Sequence, residues 1–567
     1  MKIPYKIPIW LLSALSVIFF LVYSSLFINW KAPLDSSIMQ FRNGMPEILP
    51  LSQPDIAINY AFIYNQVLLG NTLFTDPLSE QTQQQLHPRS TTVIYNQISP
   101  IGFPGIIVLL SILIKPLVLA FGEFSFNLFM VTITPLIAVI TPILFYAVLK
   151  TFFPKRIALV ASVLLYVMPL WWYYAAWPAQ HHTWVIASII SALFFAKNAQ
   201  KKSAGEWRYF YSFLSGISYA LAIFLRPTEA LWLIPVLIVF VYTKKKKIHW
   251  KYHILPFCCA AILMAIAFFI TQVHYYGHAL GSGYVIPQST GAGGSIVASA
   301  LFDSPVISLI APFGIHPLAI IKNTYQYLVT LVFPWTILTI IGIYYTIIIK
   351  NPRATKRSRT YLFFVASIST FLLIYYGSAT FFDTPLGDVP TIGTSFTRYF
   401  LFIYVFSLPF VARALFSLIQ FFKKPVRLPV LGCMIMVLGI HGYITTYKHV
   451  DGLEMLKGNI AQFYNERDQV LTNTWPNSVI ITDSADKYLF PYRRVITTAS
   501  YEREKSQSAI STLLDQGIPV YWYNHVSSGK TDVEQEINKQ FTNAPFHITE
   551  SMWAGYDMQL RRIEKKP

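Results

Sequence analysis

Long apolar runs alternate with short basic segments through the first 447 positions, and from Lys448 onward the pattern changes to short mixed segments. Runs able to cross about 30 Å of hydrocarbon fall at 8–29, 127–149, 156–174, 180–197, 209–226, 228–243, 252–273, 325–349, 360–377, 398–421 and 428–447. A further run, Ile101–Phe121, is interrupted by Lys115-Pro116. The first run follows Lys2 and Lys6 as a signal peptide would, but it is too long and lacks a small-residue cleavage site, so it is expected to stay as a span. The pattern predicts a polytopic α-helical membrane protein with about eleven transmembrane helices. After Lys448, β-rich runs at Ser478–Thr482, Val495–Thr498, Pro519–Tyr523 and Tyr556–Ile563 alternate with helical patterns at Tyr501–Leu514 and Asp532–Phe541, which predicts a small C-terminal α/β domain.

Charge fixes the expected sides. The clusters Lys150/Lys155/Arg156, Lys197/Lys201/Lys202/Arg208, Lys244–Lys247 with Lys251, Lys350–Arg359 and Lys423/Lys424/Arg427 all fall on the side of Lys2 and Lys6 if the chain crosses eleven times. A twelfth crossing at 101–121 would move them all to the other face, so that run is expected as an interfacial or re-entrant helix. The N-terminus is then cytoplasmic, and the C-terminal domain lies outside the cell membrane. On this map every carboxylate before Lys448 except Glu206 sits in an outer loop or at an outer span end. The large outer loops are 30–126, 274–324 and 378–397.

Composition agrees with the spans: 54% hydrophobic, 12% charged, mean hydropathy +0.47, against about 25% charged in soluble domains. The net charge of +18 would suit a nucleic-acid partner, but it is not spread evenly. Residues 1–447 hold 30 Lys+Arg and 11 Asp+Glu, and residues 448–567 hold 14 and 15. The excess is therefore the positive-inside bias of the membrane part, no nucleic acid is implied, and the chain divides into a membrane domain (1–447) and a C-terminal domain (448–567). Cys258, Cys259 and Cys433 lie in apolar stretches and suggest no disulfide framework.

Candidate chemistry collects in the outer segments. Ser52-Gln-Pro-Asp55 opens an apolar helix closed by Gly70; Asp55 fits a capping box or a functional carboxylate equally in type. Glu80, His87 and Arg89 follow in the same loop, where they could bind an anionic group or lie in solvent. No His-x-x-x-His or Cys-x-x-Cys spacing supports a metal, and a divalent cation stays open as a cofactor with none assigned. Trp171–Trp177, rich in aromatic residues, precedes His181 and His182; an interfacial aromatic belt is the default reading and sugar stacking the alternative. Arg226-Pro-Thr-Glu229 and Arg398 place arginines on the outer side, against the trend, where each either caps a helix or binds an anion. Gly-rich stretches at 276–284 and 291–294 read as a mobile outer loop, not as a P-loop. Asp383 and Asp388 precede Arg398.

These features resemble the GT-C superfamily of integral membrane glycosyltransferases, which includes protein O-mannosyltransferases and lipid A aminoarabinose transferases. The resemblance rests on the Pro54-Asp55 helix, the 101–121 segment, Arg226-Pro, the Tyr-Gly loop at 276–284 and Arg398-Tyr399. It implies a cell-envelope enzyme that takes a sugar from a polyprenyl-phosphate donor to a lipid, glycan or protein acceptor, with the first-loop aspartate, Asp55, as base. The usual acidic pair is reduced here to Asp-Ile, and Gln180-His181-His182 stands where a second aspartate is common. In that frame an attacking hydroxyl or amine needs one base, phosphate needs no acid to leave, and cations must hold it. Arg226, Arg398 and then Arg89 are the expected phosphate ligands. Glu80, His87, His181, His182, Glu229, Asp383 and Asp388 are expected on the sugar or acceptor side. A single displacement would invert the anomeric centre.

Other classes fit parts of the pattern. A flippase or transporter of lipid-linked sugars would place ionisable groups near the midplane, whereas these lie at one face. A surface-polysaccharide polymerase or ligase would share the outer loops but use a diphosphate donor. A structural scaffold gains nothing from one-sided acids.

Overall fold

The computed structural model describes residues 7–29, 40–42, 44–201, 205–244, 249–281, 312–348, 352–381, 389–497, 503–525, 544–555 and 558–566. Asp383, Asp388, most of the Gly-rich loop and the helix expected at Asp532–Phe541 lie outside them. Each expected apolar run is helical. By length and hydropathy five helices among the described residues can cross a membrane alone, and up to eight if each bent pair is one span. Gly105–Phe121, at 17 residues, is one of two shorter apolar helices.

Two compact units divide the chain differently from a single cut at Lys448. One holds Met1–Asp35, Met130–Phe268 and Val297–Leu456. The other joins Ser36–Phe129 and Phe269–Ile296 to Lys457–Pro567.

The first unit is a helical assembly. Its most enclosed span is Leu401–Phe421, while Trp250–Tyr276 exposes Ile262, Leu263, Ile266 and Ile270, as a lipid-facing helix should. Helices approach closely where side chains vanish: a Cβ on Gly342 would sit 1.8 Å from the carbonyl oxygen of Phe410. Buried polar groups find partners, as where the Tyr23 hydroxyl donates to the Tyr166 carbonyl at 2.8 Å. Three helix pairs are bent. Lys155–Val167 and Pro169–Ala175 meet at 54°, and Trp207–Leu225 and Pro227–Val239 at 118°. In both, a proline opens the second arm and removes an N–H that would have continued the first.

The second unit is built on a five-stranded sheet ordered Arg494–Thr497, Val479–Thr482, Val520–His525, Met558–Lys565, Phe546–Gly555. The first three strands are parallel and the last two form an antiparallel hairpin. The expected strand at Tyr556–Ile563 is thus the second arm of a hairpin whose first arm the alternation did not reveal. Its core contains Val479, Ile481, Ile496, Leu513, Val520, Trp522, Phe546 and Ile563, and Leu86 of the first long loop is part of the same cluster. His87 adds a parallel bridge to Ile496. The first loop also forms a three-stranded sheet, Phe74–Thr75, Gln97–Pro100 and Thr91–Ile94, closed by the two-residue turn Tyr95-Asn96 with φ of 49° and 62°. A buried ion pair ties early to late sequence. The guanidinium of Arg467, fully buried, donates to Glu47 and, at 2.7 Å, to the Ile48 carbonyl. Arg42 holds the other Glu47 oxygen at 2.7 Å and reaches Asp468 at 2.6 Å.

Candidate active-site groups

Asp55 belongs to the second unit. Its helix runs Pro54–Val67, with Gln53 as N-cap and Pro54 at the first helical position. The capping box does not form: no side chain caps this helix, and the Ser52 hydroxyl is buried without a partner among the described residues. Asp55 instead accepts a hydrogen bond from the Ser90 hydroxyl at 2.5 Å. Ser90 is held in the left-handed region, φ 59°, which few non-glycine residues adopt. The preceding residue supplies the constraint. The Arg89 amide donates to Asp486 Oδ2 at 2.7 Å, while its Nε and Nη2 donate to Oδ1 at 3.0 and 2.7 Å. Nη2 also reaches the Ser484 carbonyl. Arg89 is therefore engaged in fixing a turn, which its sequence context did not reveal.

His87 and Glu80 take separate positions. His87 is buried, with Nδ1 3.1 Å from the Pro88 carbonyl and 3.2 Å from the Thr91 hydroxyl, and burial pushes its imidazole below the ordinary value. Glu80 is exposed and meets the Asn96 amide at 3.5 Å. Lys487, next to Asp486, lies over the Phe463 ring, and burial followed by the Arg89 charge pushes its ammonium down to about 8.

In the first unit Arg226, Arg398, Glu229 and both histidines meet. Arg226 ends the Trp207–Leu225 helix just before Pro227, and it is 4% exposed. Its Nη2 donates to the Tyr376 hydroxyl at 2.7 Å, and its Nε lies 3.3 Å from Glu229 Oε1. The guanidinium also covers the Tyr399 ring at 4.5 Å. Tyr399 stacks on Tyr376 with centroids 4.4 Å apart, and Arg398 reaches the Tyr399 ring from the adjacent position at 5.3 Å. Arg398 Nη2 donates to Ser395 at 2.7 Å. The His182 ring is 5.5 Å from Tyr399 and 4.0 Å from His181, and both arginine charges act on both histidines. Glu229 also accepts from Trp232 Nε1, so its carboxylate works as a brace for Arg226.

The loop carrying Arg398 is pinned by residues the sequence did not single out. Asp451 accepts from the amides of Ile392 and Gly393 at 2.9 and 2.6 Å. A Cβ at Gly393 would sit 2.6 Å from Asp451 and 2.8 Å from the Tyr173 hydroxyl, so a side chain there would have to displace one of them. Trp171–Trp177 is no membrane-surface belt: Trp171, Tyr174 and Trp177 are fully buried, and the Tyr174 hydroxyl bonds to residues 392–397. Sequence alone placed these rings at an interface because a belt and a buried cluster have the same composition. Among the described residues no group of three His, Cys, Asp or Glu side chains could hold a metal ion.

A family model described as dolichyl-phosphate-mannose-protein mannosyltransferase matches residues 109–275. The fold matches that of ArnT from Cupriavidus metallidurans, solved bound to undecaprenyl phosphate, over 99% of this chain and 98% of that one, with a TM-score of 0.55 at 9% identity. It also matches the oligosaccharyltransferase AglB from Archaeoglobus fulgidus, solved with an inhibitory peptide and a dolichol-phosphate, over 94% of this chain and 71% of that one, with a TM-score of 0.52 at 12% identity. In fold, the chain is similar to these membrane glycosyltransferases, and the family model covers part of its helical unit. A second structure of the Archaeoglobus fulgidus oligosaccharyltransferase, with Zn and sulfate, matches at 14% identity over 93% of this chain and 69% of that one, TM-score 0.55. No curated protein matches the chain in sequence. The family match spans two of the three bent helix pairs, His181, His182 and Arg226, but neither Asp55 nor Arg398.

Proposed function

We propose that this chain is a membrane glycosyltransferase that moves a sugar from a polyprenyl-phosphate donor to an acceptor at the extracytoplasmic face, with inversion. The observation that carries this reading is the meeting of Arg226 and Arg398 on the Tyr399 ring beside His181 and His182. Two guanidinium groups fixed against aromatic faces suit a phosphate better than lysines would, because each offers planar, preorganised donors.

In the proposed reaction the acceptor hydroxyl or amine attacks the anomeric carbon while the bond from that carbon to the phosphate oxygen breaks. The acceptor's proton passes to the Asp55 carboxylate, and the polyprenyl phosphate leaves with the electron pair. Arg226 and Arg398 hold the phosphate as its charge grows, and no acid is needed on a leaving group of this kind. The Ser90 hydroxyl donates to the Asp55 carboxylate and orients it. Arg89, occupied by Asp486, holds the turn and is assigned no phosphate role.

An outer-face transfer assay with a panel of undecaprenyl-phosphate sugars tests it. Asp55→Asn should abolish transfer while leaving expression, melting behaviour and donor binding intact; undiminished transfer would end the assignment of Asp55. Movement of intact donor across liposome membranes without product would favour the transporter reading.

A further inference from the structure

Gln180 and His182 form a pair with two unanswered atoms. His182 Nδ1 and Gln180 Oε1 are 3.1 Å apart, so one bond is made between the two side chains. Gln180 is 1% exposed and His182 is 4% exposed. Gln180 Nε2 and His182 Nε2 are both buried and have no hydrogen-bond partner among the described residues. Leaving either group unmatched is unfavourable.

The chemistry of the vacant positions does not depend on how the amide is oriented. If Nδ1–H donates to the amide oxygen, the remaining groups are an amide N–H and an imidazole lone pair. If the amide is turned, its N–H donates to Nδ1, and the remaining groups are an imidazole N–H and an amide oxygen. Either way a neutral pair presents one donor and one acceptor. A hydroxyl is the group that answers both, since it donates once and accepts as well. An ammonium has only donors and a phosphate oxygen only acceptors, so each would leave one atom unmatched.

We propose that Gln180 and His182 form a hydroxyl-reading subsite for the sugar of the donor. The inference rests on the glycosyltransferase reading, and it adds a selection rule: one sugar position must carry a hydroxyl, not hydrogen and not an amine. The Arg pair holds the phosphate that all donors share, and the Gln180–His182 pair distinguishes the sugars.

The test is equilibrium binding to purified full-length protein in detergent. The probes are undecaprenyl phosphate, a set of undecaprenyl-phosphate hexoses, and monodeoxy and amino analogues of the hexose bound best. Wild type should lose about tenfold or more in affinity when one particular hydroxyl is removed or replaced by an amine. His182→Phe, which keeps a ring against Tyr399, should bind undecaprenyl phosphate about as wild type does and should no longer distinguish the hexose from that deoxy analogue. Gln180→Met should do the same. His182→Gln, which restores a donor and an acceptor, should recover discrimination. Wild-type discrimination persisting in His182→Phe and Gln180→Met would overturn the subsite. Failure of wild type to bind undecaprenyl phosphate would overturn the donor reading, and the subsite with it.

Discussion

The carboxylate of Asp486 accepts both the backbone amide and the guanidinium of Arg89, residues 397 positions apart. Asp486 is fully buried, so these charge-assisted bonds are made away from water, where they are strongest. Their effect is felt one residue on, where Ser90 is left with a positive φ and its hydroxyl on Asp55.

Asp486→Ala should therefore lower kcat for transfer on the order of tenfold to a hundredfold, the loss expected when a reacting group is displaced by about an ångström. The donor KM should be unchanged, because Asp486 bonds to Arg89, which is assigned no phosphate role. Ser90→Ala should show the same split to a smaller degree. Steady-state kinetics with varied donor decide the matter, and a KM effect without a kcat effect would contradict it.

Arg226→Lys should weaken undecaprenyl phosphate binding on the order of tenfold, although the charge is kept. A lysine cannot at once donate to Tyr376, face Glu229 and lie flat over Tyr399 as the guanidinium does. Tyr399→Leu should weaken binding too, since it removes the face shared by both arginines. Isothermal titration in detergent measures both, and wild-type affinity in Arg226→Lys would count against a phosphate role.

Glu47→Ala should destabilise the fold by about 3–5 kcal/mol, because it leaves the buried Arg467 guanidinium without its carboxylate. Glu47→Ala combined with Arg467→Met should recover much of the loss, since no buried charge then remains. Denaturant unfolding followed by near-ultraviolet circular dichroism separates the two outcomes.

Lys487→Met should stabilise the protein, and the gain should depend on pH in a fixed direction. Burial lowers the folded-state value to about 8, below the ordinary 10.5. Below about pH 8 the lysine is charged in both states and the folded protein bears the full desolvation penalty. As pH rises from 8 towards 10.5 the folded state sheds its proton first, so wild type gains stability relative to the unfolded chain. The advantage of Lys487→Met should thus be greatest below pH 8 and fade above it. Thermal melts across pH 6.5–10 check the trend, and a pH-independent difference would refute it.

The arginine cluster was legible in the sequence because charge in a membrane protein follows a strong rule, and the expected charge map set Arg226 and Arg398 apart as exceptions to it. Pro227 also announced the bend at which Arg226 sits. Tyr376 and Tyr399 were harder to assign, because aromatic residues in a span look the same whether they face lipid, protein or ligand. Asp451, Asp486 and Ser90 carried no local signal at all. Each acts on a partner distant in sequence, and one chain gives no sign of which polar residues meet. The capping-box pattern at Ser52 misled for a physical reason: a helix beginning with Gln53 and Pro54 has its first N–H removed already, and the carboxylate accepts from Ser90. The second unit was missed as a unit because Leu86, His87 and Arg467 join loop and tail through contacts that no periodicity encodes.

That long sequence separation bears on the order of synthesis. Arg89 leaves the ribosome hundreds of residues before Asp486, and so does Glu47 before Arg467. The turn that fixes Ser90 against Asp55 cannot close until the last fifth of the chain has been translated and delivered to the same side as the first loop. A nascent or truncated chain would carry the aspartate without its anchor, so competence for the proposed chemistry would arrive only with a finished protein.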